Sequence, residues 1–241
     1  MANALITGAS SGIGLSTARR LALKGHQVLL LSENEPELLQ VASGLGVPVL
    51  CDLSRPEQVE GLWCRLEEAH GPIQILVNNA GIGCQAEVLR TDMDRFRLVM
   101  EINYFAAVSL CRQALKAMAS RGGGNILNVT SASARRSLAR IGAYGASKAA
   151  LHGFTQTLRL EAAPLGVKVS EVLPISVRTP FFAKAGYKPK GITQSSDSVA
   201  EQIVKCLERG QAERTTHWPT ALGFALDALF PNWVARLLQR F

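Results

Sequence analysis

Several classes of protein are excluded by what this chain lacks. Met1-Ala2-Asn3 runs straight into an apolar segment, with no charged stretch ahead of a signal-type core. No uninterrupted apolar run reaches the ~20 residues that span a bilayer. The five cysteines (Cys51, Cys64, Cys84, Cys111 and Cys206) are odd in number, scattered and without metal-ligand spacing. They argue against a disulfide framework and for a reducing, cytoplasmic compartment. Histidine is scarce: His26, His70, His152 and His217 lie far apart in sequence, so no metal centre is expected. Internal repeats, low-complexity tracts and a convincing linker are absent as well.

The formal charge is +7, yet no run of five or six like charges occurs. The densest basic groups are Arg135-Arg136 with Arg140, and Lys184, Lys188 and Lys190. Without aromatic residues interleaved among them they read as a solvated surface, not as a nucleic-acid interface. With 241 residues, 47% of them hydrophobic, the chain can bury a core large enough to need no covalent staple.

What is present is an alternation of strands and helices. Ala4-Leu5-Ile6-Thr7 reads as a buried strand, followed by Gly8-Ala9-Ser10-Ser11-Gly12-Ile13-Gly14 and then apolar residues at helical spacing. Strand, glycine turn and helix form the context of a dinucleotide-binding loop. Gly8 permits the tight turn, Gly12 lets the backbone approach a pyrophosphate, and Gly14 allows close helix–strand packing. Ser10, Ser11 and Ile13 complete the loop, and the helix N-terminus offers free N–H groups to phosphate. The spacing is Gly-x-x-x-Gly-x-Gly with no following Gly-Lys-Ser/Thr, which disfavours an ATP-type P-loop.

A second buried strand, residues 27–32, ends at Glu33, 19 positions after Gly14. An acidic residue at that offset is placed to accept from ribose hydroxyls and repels a 2′-phosphate. It could equally be an N-terminal charge on the helix over 35–43. Neither Ser11, Ser32 nor Glu33 is the Arg or Lys that pairs a 2′-phosphate. NAD(H) is therefore favoured, with NADP(H) left open. Further strands are expected over 47–51, 73–77, 125–130 and 167–173, and helices over 56–69, 93–100, 105–118 and 144–161. The expected fold class is α/β: one Rossmann-like domain over 1–241, a doubly wound parallel sheet with helices on both faces. Gly8, Asp52, Asn79, Ser131 and Pro174 all fall at expected strand C-termini, where such sheets form their ligand crevice.

Tyr144-Gly145-Ala146-Ser147-Lys148 places a phenol and an ammonium four residues apart, on one face of a helix. A cation beside a phenol favours the phenolate and pulls a pKa of ~10 towards neutrality. A tyrosine so tuned suits general acid–base work.

Together these residues resemble the short-chain dehydrogenase/reductase family, in its compact single-domain branch. The resemblance runs from about residue 4 to 179. It rests on the 7–14 turn, Asp52-Leu53, Asn78-Asn79-Ala80-Gly81, Asn103, Ser131, Tyr144-x-x-x-Lys148 and the segment 174–179. It implies that Tyr144 exchanges the proton with a carbonyl or alcohol oxygen, while Lys148 lowers the Tyr144 pKa and binds the nicotinamide ribose. Ser131 would hold the substrate oxygen, in preference to Ser133, and Asn103 would position a water that joins Lys148 to solvent. Asp52 and Leu53 correspond to positions at the adenine ring; Asn79, Ala80 and Gly81 to positions beside the adenosine ribose. Asn78 could simply tie adjacent strands, and Asn103 could cap a helix break. In Pro174-Ile175-Ser176-Val177-Arg178-Thr179, Ile175 stands where the family usually has glycine, with Val177 and Thr179 as contacts to the carboxamide.

The implied activity is NAD(P)-dependent hydride transfer between nicotinamide and a carbonyl or secondary alcohol. A non-catalytic cofactor-sensing or interaction protein on the same fold is the alternative. Residues 180–196, opening on Pro180-Phe181-Phe182, form the expected substrate lid. Residues 220–241 form two apolar helical patches separated by Pro231, with Trp233, Leu237 and Phe241 at i, i+4 and i+8 while Arg236 and Arg240 face elsewhere. Such a tail could lie on a membrane surface or shield a lipophilic ketone or alcohol. It could equally pack on the sheet or on a partner subunit. The resemblance also implies a homodimer or homotetramer built through the helices over 105–118 and 144–161.

Overall fold

The computed structural model describes residues 2–186 and 191–238. In chain order the strands are β1 (Asn3–Thr7), β2 (Gln27–Ser32), β3 (Val47–Leu50), β4 (Ile73–Asn78), β5 (Gly124–Val129), β6 (Val167–Leu173), β7 (Val177–Arg178), β8 (Gln194–Ser195) and β9 (Glu213–Thr215). The helices are α1 (Gly12–Leu23), α2 (Glu35–Ala42), α3 (Pro56–Val59), α4 (Leu62–His70), α5 (Met93–Met100), α6 (Ala106–Ser120), α7 (Gly142–Ala162), α8 (Pro180–Lys184), α9 (Ser196–Arg209), α10 (Trp218–Leu229) and α11 (Pro231–Leu238).

Seven strands form one sheet in the order β3-β2-β1-β4-β5-β6-β9, every pair parallel. A parallel sheet is covered on both faces, which is why Leu29-Leu30-Leu31 runs apolar without alternation. One face packs Leu5, Leu29, Leu76 and Ile126 against Trp63, Leu110, Met118 and Leu158 of α4, α6 and α7. The other packs Ile6, Leu30 and Val77 against Leu21, Leu38, Ile203 and Val204 of α1, α2 and α9. Each such leucine or isoleucine contributes about 1.5–3 kcal/mol by leaving water. The strand order reverses between β1 and β4, and the crevice beyond their C-terminal ends is where the site lies.

The departures from the sequence reading have local causes. The expected helix over 56–69 is two, because Gly61 takes a left-handed conformation (φ 65°) between α3 and α4. The helices around Asn103 are joined by a π-turn, Glu101–Phe105, so the chain from α5 to α6 is continuous and not broken. β9, at the edge of the sheet, and the β7–β8 pair were not expected; they are only two or three residues long, too short to leave a periodic signal.

The segment expected as a lid begins as α8 and ends at β8, which pairs with β7; Tyr187, Lys188, Pro189 and Lys190 lie outside the described residues. The tail forms α10 and α11, with Pro231 as the first residue of the second helix, where its missing N–H costs nothing. No residue of α10 is buried, and Trp218, Leu222, Leu226, Leu229, Phe230 and Trp233 are all exposed. The Leu237 and Phe241 positions of the apolar stripe, and Arg240, fall outside what the structure describes of side chains. Among the described residues no helix is long and apolar enough to cross a membrane.

Candidate active site

The glycine turn between β1 and α1 is built by backbone contacts. Gly8 adopts φ 64°, and a Cβ there would stand 2.9 Å from the Ala80 Cα. A Cβ on Gly14 would fall on the Gly8 carbonyl and 2.7 Å from the Asn79 amide nitrogen, so only glycine lets α1 start this close to β1. Gly12 (φ 57°) faces the Thr179 side chain across the crevice, at 3.0 Å from a built Cβ.

The tip of β4 braces the turn. The Thr7 hydroxyl accepts the N–H groups of Asn79 and Ala80 at 3.0 and 2.9 Å, and the Asn79 side chain donates to the Thr7 and Gly8 carbonyls. The Asn79 side chain therefore holds the loop in place, and its backbone faces the cleft. Asn78, buried on the same strand, donates to Asn128 of β5 at 2.9 Å and to the Cys111 sulfur at 3.2 Å; it ties strands and helix together.

A cleft of about 390 Å³ opens over this turn. It is lined by Gly8, Ser10, Ser11, Gly12 and Ile13 of the glycine turn, by Glu33, Leu53, Asn79, Ala80 and Gly81, and by Ser131, Tyr144, Lys148, Pro174, Val177 and Thr179. The crevice suits a dinucleotide. Ser11, which precedes α1, makes no side-chain capping bond, and the first turn carries no acidic residue. Its N–H groups and helix dipole are thus left to an anion.

Glu33 stands between β2 and α2, and the α2 cap is Asn34, whose side chain accepts from the Glu37 N–H at 3.3 Å. The helix-charge role is filled by Glu35 and Glu37, which leaves Glu33 facing the cleft. Gly14 lies beneath the cleft wall. Asp52 is turned aside: its carboxylate accepts the Ser54 N–H and hydroxyl at 2.9 and 2.7 Å and pairs with Arg55, while Cys51 and Leu53 on either side line the cleft. Burial opposes ionisation of Asp52, but those hydrogen bonds and the Arg55 charge outweigh it and hold its carboxyl below the ordinary value.

Tyr144 and Lys148 sit one turn apart near the start of α7, and the Lys148 Nζ lies 6.0 Å from the Tyr144 ring centre. Lys148 is only 4% exposed and donates to the Val129 carbonyl at 3.0 Å. Burial pulls its ammonium down to about 8, opposed by the negative charge of Glu171. Ser131, just past β5, accepts from the Ser133 hydroxyl at 2.8 Å and from its N–H at 3.1 Å. Of the two serines, Ser131 lines the cleft. Asn103 lies behind the wall, its Oδ1 at 3.0 Å from a Cβ built on Gly81, where the Lys148 Nζ would stand at 3.4 Å.

Ile175 also lines the cleft without a left-handed backbone; among described non-glycine residues only Arg140 has a positive φ. The turn after Pro174 therefore accepts a branched side chain without strain. The residues of α8 add an apolar wall: the Phe181 ring lies 5.5 Å from the Tyr144 ring and 5.4 Å from Phe182. Arg95, which donates to the Gly83 carbonyl at 2.7 Å, and Lys184 complete the rim. Neither carried a motif that could have marked it in the sequence.

The basic pair read as free surface is engaged. Arg135 pairs with Glu213 at 2.5 Å and covers the Phe224 ring at 5.5 Å, and Arg136 pairs with Asp227 at 3.2 Å. These contacts join the tail to the loop that follows Ser131. Scattered in sequence, His152, Glu171 and Glu213 also converge, their ligand-type atoms within 4.8 Å of one another.

Comparison with known proteins places this architecture. A solved short-chain dehydrogenase from Sphingobium yanoikuyae, in complex with NADPH, superposes with a TM-score of 0.85 at 28% identity, covering 96% of both chains. A protein from Acinetobacter baylyi named fatty acyl-CoA reductase is 33% identical over 223 residues, 89% of this chain and 75% of that one. The Mycobacterium tuberculosis protein named "Probable oxidoreductase EphD" is 34% identical over 193 residues, 77% of this chain; the match spans only 33% of that longer protein. The sequence matches the family described as short chain dehydrogenase over residues 2–190. With that match over most of its length, and with a glycine turn, serine, tyrosine and lysine meeting in one crevice, the chain belongs to the short-chain dehydrogenase family.

Proposed function

We propose that this protein is an NAD(P)-dependent oxidoreductase that interconverts a hydrophobic ketone or aldehyde and its alcohol. The observation that carries the reading is the meeting of Tyr144, buried Lys148 and Ser131 in one cleft with the glycine turn at the start of α1. A bound nicotinamide would supply or take the hydride. Residues Gly8 to Ile13 would hold its phosphates, Glu33 the adenosine ribose, and Val177 and Thr179 the carboxamide side.

Ser131 receives two hydrogen bonds from Ser133, which leaves its own proton to donate to the substrate oxygen. Tyr144 gives that oxygen a proton in reduction and takes it back in oxidation. Lys148, protonated below about pH 8, supports negative charge on the phenol oxygen. Asn103 would position a water that joins Lys148 to solvent. Glu33 favours NAD(H), while the NADPH bound by the Sphingobium relative keeps NADP(H) as the competing cofactor.

Phe181, Phe182 and Ile175 beside Tyr144 favour an apolar substrate, as does the acyl substrate named for the Acinetobacter relative. The exposed apolar face of α10 and α11 suits peripheral contact with a membrane, from which such a substrate would be drawn. A cytoplasmic protein assembling through α6 and α7 is consistent with exposed Phe105 and Leu160 on or beside those helices. Non-catalytic cofactor sensing on the same fold is the alternative.

The test is Tyr144→Phe, assayed with both cofactors over ketones of graded chain length. It should abolish turnover of whichever ketone the wild type reduces, with NADH affinity nearly unchanged. Full turnover by the variant would refute the proton path, and nicotinamide binding without any wild-type turnover would favour the sensing alternative.

A further inference from the structure

β6 is buried on both faces, yet Glu171 in its middle is 0% exposed. An isolated carboxylate at such a depth costs several kcal/mol unless it is paired and hydrogen-bonded. Here it is. The Thr130 hydroxyl donates to Glu171 Oε1 at 2.6 Å, and the His152 Nδ1 lies 2.9 Å from both carboxylate oxygens.

The two partners come from the elements that carry the proposed chemistry. Thr130 is flanked by Val129, whose carbonyl accepts from Lys148, and by Ser131. His152 follows Lys148 by one turn of α7 and Tyr144 by two, so all three share a face of that helix. We propose that Glu171 is a positioning residue: through Thr130 and His152 it locks the end of β5 against the first turns of α7, and its charge favours the Lys148 ammonium. The inference rests on the oxidoreductase reading above for its purpose, not for its geometry.

The charges around it are few. On α7 Glu171 meets His152, and its charge acts on the Lys148 ammonium; on β9 it meets Glu213, which is itself paired with Arg135 from the loop after Ser131. Burial pushes the Glu171 carboxyl up, while Thr130 and His152 pull it back towards ionisation. Ionised, Glu171 opposes the effect of burial on Lys148 and keeps it cationic to higher pH.

The test measures Lys148 directly. Protein labelled with ¹³C at lysine Cε is titrated by NMR, with the Lys148 signal assigned by its loss in Lys148→Arg. The wild-type midpoint should lie near 8. Glu171→Gln keeps an acceptor for Thr130 but no charge, and should lower that midpoint. Glu171→Leu removes charge and tether together, and should lower it as far while also weakening NADH binding, followed by fluorescence. If Glu171→Leu does not fold by circular dichroism, Glu171→Gln alone decides. An unmoved Lys148 midpoint in Glu171→Gln overturns the proposal. A moved midpoint in a protein that binds neither NADH nor NADPH would uphold the pairing and sink the oxidoreductase reading instead.

Discussion

Asn103 grips Ile82 from both sides: its Oδ1 accepts the Ile82 N–H at 2.8 Å and its Nδ2 donates to the Ile82 carbonyl at 3.0 Å. The same Nδ2 donates to the Ser147 hydroxyl at 2.9 Å, which in turn donates to the Tyr144 carbonyl at 2.8 Å. The π-turn is what aims the side chain, since five residues per hydrogen-bonded ring push Asn103 out of the α-helical register. Asn103→Leu would leave the Ile82 N–H and carbonyl without their partner at a position only 1% exposed. Such orphaned groups cost about 1–3 kcal/mol each, so a total loss of roughly 3 kcal/mol is expected in urea unfolding. Turnover should fall with it, because Tyr144 and Gly81 lose their common support.

Gly14→Ala tests the glycine turn. The added methyl meets the Gly8 carbonyl, a backbone atom that cannot rotate away. Nicotinamide binding should be lost and the melting temperature lowered. Gly153→Ala is the control: it lies on the exposed side of α7 with open space around a built Cβ, and should stabilise by about 0.5–1 kcal/mol through helix propensity. Equal behaviour of the two alanines would show that the turn is not closely packed.

The alternating strands, the glycine turn and the Tyr144–Lys148 pair were legible in the sequence because each is a local pattern with a fixed period or offset. Their meeting in one crevice follows from strand C-termini lying on one edge of a parallel sheet. Other features depend on contacts between distant residues and leave no such pattern. Asp52 is expected at the adenine ring; no motif marks that its carboxylate also holds Ser54 and Arg55, two and three positions on. The Glu171–His152 pair spans two elements, and a lone Glu within Val-Lys-Val-Ser-Glu-Val-Leu does not reveal its partner. Arg135 and Arg136 looked like free surface because Glu213 and Asp227 are far away in sequence.

Glu33 decides the cofactor if it faces the adenosine ribose. Glu33→Arg replaces a repelling carboxylate with a group that pairs phosphate bidentately. The ratio of NADPH to NADH affinity should move at least about tenfold towards NADPH, or about 1.4 kcal/mol, in side-by-side fluorescence titrations. A ratio that stays fixed would place the 2′-position away from residue 33.

The tail should reveal its role on vesicles. Trp218, Leu226 and Trp233 are 73%, 47% and 59% exposed, so changing all three to serine removes apolar surface without opening the core. The Arg135–Phe224 and Arg136–Asp227 contacts that hold the tail are left in place. Wild-type protein should sediment with anionic vesicles and the triple variant should stay in solution, both binding NADH equally. Absence of wild-type sedimentation would assign this face to a protein contact instead.

Lys148 links the site to stability. Its ammonium titrates near 8 in the fold against 10.5 in an exposed chain, so between those values the unfolded state binds more protons. Unfolding free energy therefore rises with pH across this window. The penalty of burying the charge is complete below pH 8 and relieved towards pH 10.5. The full swing corresponds to about 3 kcal/mol at 1.36 kcal/mol per unit. Other groups titrate in the same range, so the measurable quantity is the difference between wild type and Lys148→Met in urea unfolding at pH 7 and pH 10. The wild type should gain on the variant by roughly 2–3 kcal/mol over that interval. A constant difference would mean that Lys148 keeps an ordinary pKa in the fold, and the proposed tuning of Tyr144 would then lack its buried cation.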